Sequence, residues 1–187
     1  MMIHDIPTRF QAASLDTLDA QVRQKVEEWL DAGEVLLITG PTGVGKSWTA
    51  AAAAKAWQQK MRAIAERRAE ERGYMPDPKD KVLWSSVPTL AGIIRDMEHG
   101  ESVIEHCREA HLLVLDDLGS EKATEYLVER FYSVIDHRYA WMKPYVVSTN
   151  LPLTTLAQMW PRMASRLGSG VILSLAGSDR RLKGGGK

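Results

Sequence analysis

Short apolar runs alternate with longer amphipathic segments along this chain, and the alternation predicts strands and helices in turn. The predicted strands are residues 35–38, 82–85, 112–115, 145–148 and 171–175. Consecutive apolar positions of this kind are typical of a strand that is covered on both faces of a parallel sheet. The pattern therefore predicts an α/β fold, with a five-stranded parallel sheet flanked by helices.

The segments between the apolar runs carry apolar residues at helical spacing. They predict helices at about 15–30, 46–72, 90–107, 123–140 and 156–167, and the third is expected to break near Gly100. The second half of the long helix is heavily charged, so we expect it to project into solvent. Pro76 and Pro78 follow that helix, and a proline cannot continue one.

Residues 40–47 read Gly-Pro-Thr-Gly-Val-Gly-Lys-Ser, which is the Walker A pattern, and they lie between a predicted strand and a predicted helix. Glycines in such a loop let backbone N–H groups surround phosphate oxygens, and the helix N-terminus adds partial positive charge. Lys46 is expected to reach the β- and γ-phosphates, and the Ser47 hydroxyl to bind Mg²⁺. The sequence thus predicts a site for ATP and Mg²⁺. The predicted nucleotide-binding residues are Gly40, Pro41, Thr42, Gly43, Val44, Gly45, Lys46, Ser47 and Trp48.

Two acids directly follow the third apolar run, in the manner of a Walker B segment. Parallel sheets bind ligands at the carboxyl ends of their strands, so we expect Asp116 to hold Mg²⁺ and Asp117 to polarise the attacking water. Asn150, after the fourth run, is expected to bond both the γ-phosphate and that water. Taken singly, Asp116 and Asp117 could also be a pair of acids that caps a strand, and Asn150 could belong to an ordinary turn.

Composition narrows the classes of protein that remain. With 187 residues, of which 44% are hydrophobic and 26% charged, the chain has the composition of one globular domain. Its formal net charge is zero, so any contact with nucleic acid must come from a local patch. A single cysteine excludes an internal disulfide, and no segment reads as a signal peptide or a membrane span. We therefore expect a cytoplasmic protein without a structural zinc site.

Several short motifs, taken in order, resemble those of one family. They are Ile-Pro-Thr-Arg-Phe at 6–10, Asp-Asp-Leu-Gly-Ser-Glu-Lys at 116–122, Glu-Arg-Phe-Tyr at 129–132, Ile-Asp-His-Arg at 135–138 and Ser-Thr-Asn-Leu at 148–151. This set resembles the DnaC/IstB-type AAA+ ATPases, which include bacterial and phage helicase loaders and transposition helper ATPases. The resemblance implies one AAA+ core over 1–182 with an extension at 1–14 and no substantial C-terminal lid. The glycines near the end of the chain predict a disordered tail at 183–187.

The same resemblance gives roles to arginines near the end of the chain. Arg166 matches the arginine finger, which reaches the ATP of a neighbouring subunit, while Arg162 is either its helper or a surface ion-pair partner. Arg181 matches the sensor-2 arginine, with Arg180 as the alternative. The implied catalytic set is Lys46, Asp117, Asn150, Arg166 and Arg181.

The resemblance also implies a function: a Mg²⁺-dependent ATPase that forms a homo-oligomer with ATP and helps load a replicative DNA helicase onto single-stranded DNA. The candidate DNA contacts are Arg95, Lys122, Arg130, Tyr132, Arg138 and Tyr139. Three alternatives remain at this point. They are an IstB-like transposition helper that binds duplex DNA, a small-molecule P-loop kinase, and a nucleotide-gated binding module with negligible turnover.

Overall fold

A single parallel sheet organises the computed structural model, which describes residues 5–74, 77, 79–96, 99–119 and 124–179. The predicted five-stranded parallel sheet is confirmed, and its strands lie in the order β2-β3-β4-β1-β5. They are β1 (Val35–Thr39), β2 (Val82–Ser86), β3 (Leu112–Leu118), β4 (Tyr145–Thr149) and β5 (Val171–Ser174). Because β1 lies beside β4, and β4 beside β3, the ends of these three strands meet at one edge.

Helices connect the strands and cover both faces of the sheet. They are α1 (Ala20–Ala32), α2 (Lys46–Arg72), α3 (Val87–Ile94), α4 (Gly100–Glu109), α5 (Glu125–Ala140), α6 (Leu153–Met159) and α7 (Pro161–Leu167). Two short 3₁₀ helices, Thr8–Phe10 and Leu15–Thr17, precede α1. Among the described residues, no helix combines the length and the apolar character needed to cross a membrane.

The sheet separates two apolar cores, because alternate side chains of a strand point to opposite faces. Leu37 belongs to the core shared with Phe131, whereas Leu36 and Ile38 belong to the core shared with Trp29. The alanines at 50–54 are fully buried in the second core. Their small side chains let α2 lie close to the sheet, and this closeness fixes the start of α2 beside the end of β1.

The predicted helix at 15–30 is wrong in its first part. Leu15–Thr17 forms a 3₁₀ turn, and the α-helix begins only at Ala20. The break arises because Leu18 and Asp19 have extended backbones, with ψ near 148° and 149°. Apolar spacing alone does not reveal such a break, since Leu15 and Leu18 still pack against the same core as α1.

The predicted single helix at 156–167 is also wrong, because two helices meet at Trp160. Pro161 begins α7, and the residue before a proline is disfavoured in the helical region. Trp160 accordingly has φ −139° and ψ 69°. The predicted break near Gly100 is confirmed, as α4 begins at that residue.

Candidate functional site

The loop between β1 and α2 takes a conformation that depends on its glycines. Gly40 and Gly43 have φ values of 148° and 80°, which L side chains rarely adopt. A side chain at Gly40 would collide with the backbone of Leu175, and one at Gly43 with the carboxylate of Asp179. The Walker A glycines therefore allow two close approaches, and the second brings the segment after β5 against the loop.

Lys46 connects this loop to the end of β4. Its side chain is buried, and Nζ donates hydrogen bonds to the carbonyl oxygens of Gly40 and Pro41 at 2.9 and 2.8 Å. Nζ also donates to Oδ1 of Asn150 at 2.5 Å. The lysine and the residue expected to act as a sensor thus share one contact.

Asp116 lies behind the loop, where two hydroxyl groups donate to its Oδ1. The Ser47 hydroxyl donates at 3.0 Å, and the Ser148 hydroxyl donates to the same oxygen. Burial raises the pKa of Asp116 above its usual range, while the two hydrogen bonds oppose that rise. Asp117 raises this pKa further, and the nearby Lys46 lowers it.

The strand that carries the two acids is longer than the sequence predicts. We expected β3 to end at Leu115, but it continues to Leu118 with a shift in its pairing to β4. Asp117 has φ 62° at this shift, and its N–H donates to the Ser148 hydroxyl at 3.0 Å. A non-glycine residue with positive φ is strained and is often found at functional sites. Asp117 lines the cavity at this edge of the sheet, and Asp116 is joined to that cavity through Ser47.

A cavity of about 560 Å³ lies at this edge of the sheet, within the size range of small-molecule sites. The predicted site residues that line it are Thr42, Gly43, Gly45, Lys46, Ser47, Trp48, Asp117 and Asn150. Val44 is buried beside it, and Asp116 contacts it through Ser47.

Three further lining residues were not predicted as site residues: Arg9, Phe10 and Thr17. The indole N–H of Trp48 donates to the Thr17 hydroxyl at 2.8 Å, which fixes one wall of the cavity. Arg9 and Phe10 fall in the motif at 6–10, but the motif alone gives no chemical reason to place them here. Only the fold of the N-terminal segment against α2 shows this.

The donor set at the Ser47 hydroxyl suits magnesium. Mg²⁺ prefers oxygen ligands and is usually bound by one or two protein groups together with phosphate oxygens and water. The hydroxyl of Ser47 and the carboxylate of Asp116 are in contact and fit that pattern. Among the described residues there is no group of three or more His, Cys, Asp or Glu side chains that could bind a metal by itself.

The arginines predicted by resemblance lie apart from this cavity or outside the described residues. Arg166 lies on α7, where its Nε donates to Oδ1 of Asp136 at 3.0 Å. Arg162 is exposed on the same helix. Arg180 and Arg181, like the tail at 183–187, fall outside the described residues.

One of the candidate DNA contacts is wrong. Arg138 is fully buried, and its guanidinium donates to the carbonyl oxygens of Cys107, Arg108, Ala110 and Pro144. It joins the end of α4 to the start of β4 and cannot contact a phosphate backbone. A helical position read from sequence does not show whether an arginine faces solvent or the C-terminus of a neighbouring helix.

The other candidate DNA contacts differ in their surroundings. Arg130 forms an ion pair with Glu101 and lies over the ring of Tyr126. Tyr132 is partly buried, and Tyr139 is 45% exposed. Arg95 ends α3 beside a shallow cavity that Arg130 also lines. Lys122 falls outside the described residues.

Comparisons of sequence find relatives among insertion-sequence proteins. A protein of Mycobacterium tuberculosis, named for ATP binding in an insertion sequence, is 30% identical over 122 residues, or 65% of this chain and 43% of that protein. A similarly named protein of Pseudomonas fluorescens is 26% identical over 161 residues, or 79% of this chain and 61% of that protein. The chain thus spans less than two thirds of either relative. No protein-family model matches it.

Comparisons of structure find solved proteins with a similar fold. The crystal structure of DnaI has a TM-score of 0.71 and 20% identity, and the match covers 94% of each chain. The DnaC helicase loader has a TM-score of 0.62 and 22% identity, covering 91% of this chain and all of that one. DnaA from Aquifex aeolicus, bound to AMPPCP, has a TM-score of 0.66 and 19% identity, covering 92% of this chain and 53% of that one. At these identities the likeness establishes the fold, which is a P-loop α/β fold with a five-stranded parallel sheet.

With the insertion-sequence relatives in sequence and DnaI and DnaC in structure, the predicted resemblance is confirmed, and the chain is similar to the DnaC/IstB-type AAA+ proteins.

Proposed function

We propose that this chain binds ATP and Mg²⁺ in the cavity at the carboxyl edge of the sheet and hydrolyses the ATP. One observation carries the proposal. Contacts join the Walker A residues to the ends of two other strands: Lys46 bonds Asn150 after β4, and Ser47 bonds Asp116 in β3. A phosphate loop, a carboxylate suited to Mg²⁺ and a polar sensor side chain are the parts that P-loop ATPases require.

Each group has a proposed task in this site. Lys46 and the loop N–H groups bind the β- and γ-phosphates, and Ser47 and Asp116 hold Mg²⁺. The metal ion, when bound, neutralises charge on the phosphates. Asp117, which lines the cavity, accepts a proton from the attacking water, and Asn150 orients that water beside the γ-phosphate.

We propose that Arg166 acts on the ATP of a neighbouring copy. Its guanidinium contacts α5 rather than the cavity of its own chain, so it serves a site only if a second copy brings one to it. ATP would then lie between two copies and favour their assembly. For the sensor-2 role we keep Arg181, or Arg180, since the nearby Asp179 already lies against Gly43 of the loop.

We propose that the biological role of this chain is to help load a replicative helicase onto single-stranded DNA. Support comes from the structural likeness, which covers nearly the whole chain for DnaI and for the DnaC helicase loader. A second candidate is a transposition helper, which the sequence relatives from insertion sequences favour.

One set of measurements tests both ATP hydrolysis and the role of Arg166. Release of inorganic phosphate from ATP, without any small-molecule acceptor, distinguishes an ATPase from a kinase. The rate should rise with protein concentration and fall sharply in Arg166→Ala, while ATP binding by that variant is retained. A full rate in dilute monomer would contradict the role of Arg166.

The choice of partner needs a separate comparison. Stimulation by single-stranded rather than duplex DNA supports the loader, and the opposite preference supports the transposition helper. Capture of a replicative helicase from extract, only when a non-hydrolysable ATP analogue is present, would support loading. Capture of a transposase instead would contradict it.

A further inference from the structure

The guanidinium of Arg166 lies among three side chains that all come from α5. Its Nε donates to Oδ1 of Asp136 at 3.0 Å. Its central carbon lies 5.9 Å from the ring centroid of Tyr132 and 5.4 Å from that of Tyr139, within the range of cation–π contacts. The three residues are four and three positions apart, which places them on one face of the helix.

The carboxylate of Asp136, which accepts the hydrogen bond from Arg166, is itself held by a second contact. The Tyr132 hydroxyl donates to Oδ1 of Asp136 at 3.0 Å, so the same oxygen accepts from both the tyrosine and the arginine. Carboxylate and guanidinium are thereby held in one orientation. The side chains of Arg166 and Asp136 are 30% and 42% exposed, and an ion pair this exposed contributes little to stability. The ion pair therefore matters for the orientation of Arg166 and not for the stability of the fold.

The ion pair uses Nε and not the two terminal nitrogens of the guanidinium. Among the described residues, every hydrogen bond of the Arg166 side chain involves Nε. The terminal pair can bind a phosphate with two parallel hydrogen bonds. The contact with Asp136 therefore holds the guanidinium at Nε and leaves its two terminal nitrogens available to a phosphate.

We infer that Asp136 is a positioning residue that, with Tyr132 and Tyr139, orients Arg166 toward the γ-phosphate of ATP in a neighbouring copy. The inference rests on the proposed function, since it requires Arg166 to act on that ATP. The described side-chain partners of Asp136 are Tyr132 and Arg166. It acts through the arginine, and its loss should lower the rate without changing how the same chain binds ATP.

The test compares kcat and KM for assembly-dependent hydrolysis by the wild-type chain and by Asp136→Asn, Tyr132→Phe and Asp136→Glu. For Asp136→Asn we expect kcat to fall about 10- to 100-fold with KM unchanged, because a misplacement of about 1 Å can cost roughly 10²-fold. Tyr132→Phe should have a smaller effect, and Asp136→Glu should recover part of the rate. Glu129→Gln, an exposed acid on the same helix, is the control and should behave as wild type.

Mixing experiments then separate an effect on the finger from an effect on the chain's own cavity. A Lys46→Ala chain cannot bind ATP but still carries Arg166 and Asp136. Mixed with Asp136→Asn, it should raise hydrolysis well above the sum of the two, because it supplies an oriented arginine to the intact cavity. Mixing with a double variant, Lys46→Ala with Asp136→Asn, should give no such rise.

Three outcomes would overturn the inference. A rise in kcat for Asp136→Asn would mean that the ion pair restrains the arginine. An unchanged kcat, in a chain whose Arg166→Ala variant is inactive, would mean that Asp136 has no positioning role. If the wild-type chain itself neither binds nor hydrolyses ATP, the proposed function fails, and this inference fails with it.

Discussion

The ammonium group of Lys46 donates a hydrogen bond to the side-chain oxygen of Asn150, 104 residues further along the chain. The contact forms because β1 and β4 are neighbours, with Thr39 paired to Thr149 at their carboxyl ends. With its oxygen occupied by Lys46, the amide of Asn150 presents its N–H₂ group as a donor. The Walker A lysine therefore orients the predicted sensor.

Replacing Lys46 should remove nucleotide binding. Lys46→Ala deletes a buried ammonium group and the charge-assisted contacts that it would offer to two phosphates, so we expect ATP affinity to fall roughly 100-fold or more. Calorimetric titration with a non-hydrolysable analogue measures this. Lys60→Ala, on the outer part of the same helix, should bind as wild type. Retained affinity in Lys46→Ala would refute the assignment of the phosphate loop.

Replacing Asn150 should affect the chemical step more than binding. For Asn150→Ala we expect kcat to fall by about 10²-fold, the usual cost of removing one preorganised donor, with ATP affinity within a few-fold of wild type. Steady-state rates and equilibrium titrations together measure the two effects. Thr154→Ala, exposed on α6, serves as the control. If affinity fell as much as the rate, Asn150 would belong to ground-state binding.

Asp116 should make stability depend on pH when neither Mg²⁺ nor nucleotide is bound. Burial raises its pKa in the folded chain, so the unfolded chain loses this proton at a lower pH than the folded chain does. The free energy of unfolding therefore falls as pH rises through the pKa of the folded chain. This loss of stability is absent below the pKa of the unfolded chain.

The variant Asp116→Asn tests this directly. Its amide oxygen can still accept from Ser47 and Ser148, but it carries no charge. We expect Tm near neutral pH to rise, because the uncharged amide avoids the desolvation cost of a buried carboxylate, while hydrolysis is lost. The gain should vanish in acidic buffer. Thermal melts across pH measure this, with the exposed Glu66→Gln as the control. A gain in Tm that grew as the pH fell would contradict the predicted effect of Asp116.

Arg138 should be required for stability and not for DNA contact. Its guanidinium satisfies four carbonyl oxygens, and burial lowers its pKa to about 10, so it remains charged at neutral pH. A lysine presents a point charge without the planar fork, so Arg138→Lys should lower the free energy of unfolding by at least about 2 kcal/mol. Urea unfolding measures this, with Arg130→Lys as the control. An unchanged midpoint together with weaker DNA binding would reverse the conclusion.

Much of the site could be predicted because its signals are local. The eight residues at 40–47 carry their own requirements for glycine, lysine and serine, and the apolar runs on either side specify strand and helix. The acids after the third run and the asparagine after the fourth could be placed at one edge, since parallel strands put their carboxyl ends together. The missed residues, Arg9, Phe10 and Thr17, carry no such local signal.

The sequence by itself determined the element types, the parallel sheet and the identity of the phosphate loop, because each depends on periodicity or on a short motif. Tertiary structure alone decided that Arg138 is buried under α4, that Asp117 takes a positive φ in a bulge of β3, and that Asp136 holds Arg166. These outcomes depend on which side chains from distant segments meet. Helical spacing shows that two residues share a face, but the direction of that face is set by the packing of the whole domain.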